Sequence, residues 1–155
     1  MINITGRNKN FQYNIQMVKK LLLFLSFIGI LDASYLSYEH YSNTIPPCSL
    51  HAVFLADCGK VLTSSYATVF GIPVALFGVV YYTALFILML LLLIKKQKIF
   101  LHITRILVVI GLIASIYFVT LQLFVIQAIC FYCMTSALNS FVIFFLALSI
   151  KPRIG

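Results

Sequence analysis

This 155-residue sequence predicts an all-α integral membrane protein, a bundle of four transmembrane helices with a large non-cytoplasmic loop between the first two capping a site. Three observations carry that prediction. Hydrophobic residues make up 63% of the chain against 9% charged, far from the balance of a soluble domain. Four apolar runs each reach the length of about 20 residues that a helix needs to cross a hydrocarbon core of about 30 Å. Basic residues, finally, gather on one side of a four-span arrangement. Outer-membrane strands are excluded because the runs lack a period-2 polar alternation and are twice a barrel strand's length.

In chain order, residues 1–17 form a cytoplasmic N-terminal segment, and the first helix runs from about Val18 to Tyr38. A basic stretch before Leu21–Ile30 imitates a signal peptide, but no small-x-small cleavage site follows, Asp32 interrupts the place for one, and the apolar run continues. The helix is therefore expected to be retained. Asp32 is the one acid inside it, and a carboxyl group in lipid is costly enough to mark a functional candidate. A rim position, with Asp32 capped by loop amides or paired with Lys60, would make it structural instead, and it is not assigned a catalytic role. Tyr35, Tyr38 and Tyr41 fit an interfacial aromatic belt.

Residues 39–71 form the long loop, with Cys48, Cys58, the Pro46-Pro47 turn and several hydroxyls. The second helix spans about Ile72 to Ile94, a short basic turn follows at Lys95, Lys96 and Lys98, and the third spans about Ile99 to Leu123. A still shorter turn around Gln127 leads into the fourth, Ile129 to Ile150, with residues 151–155 as a cytoplasmic tail. Gln122 and Gln127 are read most simply as outer-interface residues, although Gln122 is within reach of a ligand headgroup. Only the first loop is large enough to cover a site. No repeat or second domain is visible.

A formal net charge of +8 raises the possibility of nucleic-acid binding, but the positions argue otherwise. Arg7, Lys9, Lys19, Lys20, Lys95, Lys96, Lys98, Arg105, Lys151 and Arg153 fall on one side, and Lys60, Glu39 and Asp57 on the other. The positive-inside rule then puts both termini in the cytoplasm. Arg105 is expected to snorkel back to that interface with His102.

That orientation brings all four cysteines to the non-cytoplasmic rim, where thiols meet oxidising chemistry. Cys130 and Cys133 form a Cys-x-x-Cys at the head of the fourth helix. Residues i and i+3 share a face there, and first-turn amides favour thiolate while burial opposes it. Three plainer readings compete with a redox pair. Buried cysteines are often small packing residues. Zinc prefers two close pairs, whereas Cys48 and Cys58 are widely spaced and only His51 is nearby. Two structural disulfides stapling the loop to the bundle are the strongest rival.

The residues also carry a family resemblance. Cys58-Gly-Lys-Val-Leu-Thr-Ser64-Ser-Tyr66, then Phe70-Gly-Ile-Pro73, Phe77-Gly-x-x-Tyr81-Tyr-Thr83, and Cys130-x-x-Cys133 before Asn139 resemble the vitamin K epoxide reductase family, from about Leu31 to Asn139. The order is diagnostic: a loop pair between helices one and two, a serine six residues after its second cysteine, and a Cys-x-x-Cys opening helix four. The resemblance implies a four-helix bundle over residues 18–150 that couples thiol–disulfide exchange to a quinone of the ubiquinone or menaquinone class. Leu31-Asp-x-x-Tyr-Leu-x-x-Glu39-His40 resembles bacterial-type members, which oxidise a thioredoxin-like protein and promote disulfide formation in exported proteins. With no fused thioredoxin-like domain here, the partner is expected to be a separate extracytoplasmic protein, and the location the bacterial inner membrane.

The resemblance also implies roles. Cys48 meets the partner, Cys58 relays to Cys130, and Cys133, one turn deeper, faces the quinone. The loop moves between a Cys48–Cys58 disulfide and a Cys58–Cys130 bridge. Ser64, Phe77, Tyr81 and Ala137 are the family positions that line the quinone site, Ser64 as a hydrogen-bond donor. Animal members place an asparagine early in helix two and a tyrosine one turn after the Cys-x-x-Cys, where this chain has Val74 and Ala137. Vitamin K epoxide chemistry with another thiol donor is the alternative activity. An unrelated four-helix quinone-linked oxidase would carry its two cysteine pairs in the reverse loop order.

Overall fold

The apolar runs form helices because a bilayer offers no water to backbone amides, so each segment must satisfy its own. In the computed structural model, which describes residues 4–42, 44, 57–95 and 97–150 (side chains from residue 14 onward), this gives α1 (Ile4–Tyr41), α3 (Val74–Ile94), α4 (Lys98–Thr120) and α5 (Phe131–Ser149). Between α1 and α3 lie a short helix α2 (Cys58–Leu62) and a two-stranded ribbon, β1 (Thr68–Val69) with β2 (Ile72–Pro73). The four-helix membrane bundle expected from the sequence is the fold. Each long helix contains a span long and apolar enough to cross a bilayer.

The boundaries differ in informative ways. α1 begins at Ile4, well before the apolar run, through a polar stretch holding Asn8, Lys9 and Asn10 that no hydropathy signal marks. The third span continues past Thr120 as a π-helical turn, Leu121–Ile126, which ends at Gln127 in the left-handed conformation. β1 and β2 pair antiparallel, Thr68 with Pro73 and Val69 with Ile72. Phe70 and Gly71 form the tip, both with positive φ, 53° and 78°. Phe70 is fully exposed there.

The helices pack in a ring: α1 on α3, α3 on α4, α4 on α5 and α5 back on α1. The core at their centre includes Leu22, Ala33, Tyr82, Leu85, Met89, Val108, Ile143 and Ala147. Two glycines allow close approach. A Cβ on Gly29 of α1 would overlap the ring of Tyr82, and one on Gly111 of α4 would overlap the hydroxyl end of Tyr81. The outward faces stay apolar, with Phe24, Ile87, Ile113 and Phe145 among the exposed large side chains, as a lipid-facing surface requires.

Apart from Lys60 in α2, the basic side chains of the described set belong to the ends of α1, α3 and α4 that meet one another. Lys19 Nζ donates to the carbonyl of Leu92 (3.4 Å) and Arg105 Nη2 to that of Ile150 (2.8 Å), so each cation meets the carbonyl end of a neighbouring helix. Arg105 thus reaches the end of α5, while its Nε stays buried without a hydrogen-bond partner among the described residues. The side chains of Arg7 and Lys9, and Lys96, Lys151 and Arg153, lie outside the described residues.

Candidate active site

At the opposite end, a second buried cluster joins Cys58, Val61, Ala128 and Cys130, with Leu62, Ile126, Tyr132 and Cys133 against it. Local sequence explains how the two cysteine segments meet. Asp57 caps α2, its carboxylate accepting from the Lys60 amide at 2.9 Å, which fixes Cys58 as the first residue of that helix. The Asp57 amide in turn donates to the carbonyl of Ile129 at 3.2 Å. One backbone hydrogen bond thus ties the residue before Cys58 to the residue before Cys130. Cys58 is held in a disulfide whose partner lies outside the described residues, while Cys130 and Cys133 are free thiols. Cys48 and the Pro46-Pro47 turn also lie outside that set.

Gln122 is the brace beneath this arrangement. It was expected at the outer interface, but it is buried, and its Oε1 accepts from the Cys130 amide at 3.0 Å while its carbonyl accepts from Ala128 at 3.1 Å. The π-helical turn is what swings it inward, a displacement that ordinary helical spacing does not foretell. Cys130 is the N-cap of α5, and its Sγ accepts from the Cys133 amide at 3.5 Å. The neighbouring Cys133 thiol, with the amides of Cys133 and Tyr132, lowers the Cys130 thiol below the ordinary cysteine range, against the opposing pull of burial and of nearby Asp32.

Below the cluster lies an apolar cavity of about 500 Å³ framed by α2, α3, α4, the π turn and α5. Its walls include Ser64, Phe77, Tyr81, Cys133 and Ala137, so the structure gathers the described residues singled out for the ligand around one space, with the inner cysteine in its wall. Val74 and Gln122 line it too. Ser64 departs from its expected role as donor: its hydroxyl already donates to the Val61 carbonyl at 2.8 Å. Tyr81 is the group left open, its buried Oη lacking a hydrogen-bond partner among the described residues. A flat apolar ring with carbonyl oxygens fits such a site, where one orphaned donor waits in an otherwise greasy wall.

Two further expectations change. Among the described residues, Asp32 has neither a capping loop amide on Oδ2 nor Lys60 as a charge partner. Its Oδ2 is buried without a hydrogen-bond partner among the described residues, beside Ser136 and within electrostatic reach of Cys130 and Cys133. The turn that carries Ser136 past α1 was not legible because helix–helix register depends on packing, not on hydropathy. Tyr35 packs toward the Cys-x-x-Cys segment, its ring 5.3 Å from that of Tyr132. Tyr38 and Tyr41 remain exposed. Sequence reasoning missed Tyr82, whose hydroxyl meets Ser136 Oγ at 3.1 Å and Ser140 Oγ at 2.9 Å and donates to the Ser136 carbonyl. Its position beside Tyr81 offered no distinguishing signal. Among the described residues no cluster of three metal-binding side chains occurs.

No curated protein matches the chain. The model of the Vitamin K epoxide reductase family, however, matches residues 20–148, which hold every cysteine and all or most of each span, and the chain belongs to that family of membrane thiol and quinone oxidoreductases.

Proposed function

We propose that this protein is a quinone-dependent thiol–disulfide oxidoreductase that oxidises a thioredoxin-like partner on the non-cytoplasmic side of a bacterial inner membrane and so promotes disulfide formation in exported proteins. The observation that carries the reading is the placement of three sulfurs. Cys58 and Cys130 share one buried cluster, and Cys133 stands in the wall of the apolar cavity directly beneath. Exchange between disulfides requires sulfur to touch sulfur, so a relay needs adjacent pairs, and these are adjacent.

In this mechanism the loop pair takes electrons from the partner, Cys48 meeting its thiolate and Cys58 passing the exchange to Cys130. The lowered Cys130 thiol suits that role, since a thiolate is both the attacking and the better leaving sulfur. Closure of the Cys130–Cys133 disulfide then releases two electrons and two protons. A bound quinone, when present, supplies the two-electron acceptor. Phe77, Val74 and Ala137 would hold its ring, and Tyr81 Oη would donate to a carbonyl oxygen. The α2 cap, tied to the segment before Cys130 by the Asp57–Ile129 hydrogen bond, would limit the approach of water from that end. The basic end near Lys19 and Arg105 supports cytoplasmic termini through the positive-inside rule.

The test is a purified-protein assay in lipid with ubiquinone and menaquinone compared, following thiol loss in a reduced thioredoxin-like protein. Cys133→Ser should abolish quinone reduction and keep the Cys58 disulfide. Partner oxidation at the normal rate in Cys133→Ser membranes would favour cysteines that only staple the fold. An unchanged rate in Cys48→Ala membranes would remove Cys48 from the path.

A further inference from the structure

Closing a disulfide between Cys130 and Cys133 breaks two S–H bonds in mostly apolar surroundings. Cys130 is completely buried, and Cys133 faces an apolar cavity. Proton acceptors are correspondingly scarce. Of the chain's three acidic residues, Asp57 caps α2 and Glu39 lies at the end of α1, where it accepts from Thr44. Asp32 alone lies within the bundle beside the thiols. Its Oδ2 is buried with no hydrogen-bond partner among the described residues, an arrangement that a purely structural acid would not tolerate cheaply.

Beyond Asp32 the hydroxyls are continuous. Ser136 lies beside the carboxyl group, and Tyr82 Oη, which in this state donates to the Ser136 carbonyl, lies 3.1 Å from Ser136 Oγ and 2.9 Å from Ser140 Oγ, so a turn of its hydroxyl is what completes the chain. Ser136, Tyr82 and Ser140 all form part of the cavity wall. The titratable groups facing Asp32 among the described residues are Cys130 and Cys133 at the head of α5 and Tyr82 on α3. No cation is among them.

We propose that Asp32 is the proton acceptor for the Cys130–Cys133 dithiol and that Ser136, Tyr82 and Ser140 form the hydroxyl chain that conducts those protons to the cavity. This rests on the thiol-to-quinone reading above. As the Sγ–Sγ bond forms, the dithiol is oxidised and its two electrons pass to a quinone. The Asp32 carboxylate takes the thiol protons in turn and passes each through Ser136 toward a quinone oxygen, so that two electrons and two protons leave the sulfurs together and the carboxylate is regenerated.

The decisive comparison exploits a difference in sign. A carboxylate acting only through its charge would oppose thiolate formation, so its removal would speed disulfide closure; a proton acceptor's removal slows it. Full-length protein in lipid nanodiscs is reduced, freed of quinone, and re-oxidised with a small diffusible disulfide across a pH series while the Cys130–Cys133 bond is followed by mass spectrometry. Asp32→Asn should close the bond on the order of a hundredfold more slowly at neutral pH, recover as the pH rises, and retain the Cys58 disulfide. Asp32→Glu should restore most of the rate. Closure at or above the wild-type rate in Asp32→Asn throughout the series would overturn the assignment.

Ser136→Ala gives an independent measurement should Asp32→Asn fold poorly. It should leave closure by the small disulfide intact and slow quinone-coupled turnover, and equal effects on both rates would overturn the hydroxyl chain. If Cys133→Ser still reduces quinone, the underlying redox reading fails. If Cys133→Ser is inactive while Asp32→Asn and Ser136→Ala behave as wild type, only the proton path fails.

Discussion

Replacing Gln122 by leucine removes one acceptor from one backbone amide, and the consequence follows from where that amide is. The Cys130 N–H is buried and points at Gln122 Oε1, 3.0 Å away. Leucine nearly matches the volume but leaves the donor orphaned, a loss of about 1–3 kcal/mol when no water replaces it. Because the hydrogen bond holds the residue that caps α5, the cost falls on the native state of this turn more than on the whole bundle. Local opening of the turn should rise roughly 5- to 150-fold, the same free energy expressed as an equilibrium constant. The assay is maleimide alkylation of reduced Cys130 in lipid, quantified by mass spectrometry, with Cys133 replaced by serine to isolate the site. Cys130 is fully buried, so its alkylation reports opening. Gln122→Glu, which keeps an acceptor in place, should stay near the wild-type rate. An unchanged alkylation rate in Gln122→Leu would refute the bracing role.

Gly111→Ala places a Cβ on the hydroxyl end of Tyr81, which must move, so quinone affinity measured by fluorescence quenching should fall while α-helical circular dichroism is retained. The Cys130 thiol has a pKa lowered by its neighbours, so its thiolate contribution to the stability of the reduced protein is complete above the free-cysteine value of about 8.5 and is lost as pH falls through the lower folded value. Ultraviolet thiolate titration should show that midpoint below the free value, and Cys133→Ala should raise it by removing the leading cause. Phe70→Gly should stabilise the ribbon by up to about 1 kcal/mol, because a fully exposed phenylalanine at φ 53° gives no burial in return for its left-handed strain. Chemical denaturation in mild detergent would measure that gain.

Hydropathy and length made the four spans legible, because a bilayer imposes one coarse requirement on every helix that crosses it. The same logic could not see the polar start of α1 at Ile4, which lies outside the apolar stretch. Nor could it see the π-helical turn: Leu121–Ile126 reads as ordinary apolar helix, yet one additional residue per turn carries Gln122 from an expected interface position to the Cys130 amide. Ser64, Phe77, Tyr81 and Ala137 were legible only through the family resemblance, and they meet around one cavity. Hydrogen-bond partners were not. Ser64 turns its proton to Val61 three residues back, a choice made within the local turn, and Asp32 turns inward beside Ser136, which depends on which helix faces which.

The closed ring of helices with its α2 lid has a kinetic meaning as well. The cavity wall includes Phe77, Val80 and Ile110, side chains that are also about half or more exposed on the apolar outer face of α3 and α4. A molecule dissolved in the bilayer thus meets this wall sideways, whereas a thiol dissolved in water meets the lid. The two reactants are sorted by solvent before either is recognised. On the proposed reading, an aqueous thiol would reach the lid before Cys133, and insulation of the inner sulfur would come from phase separation more than from any gate.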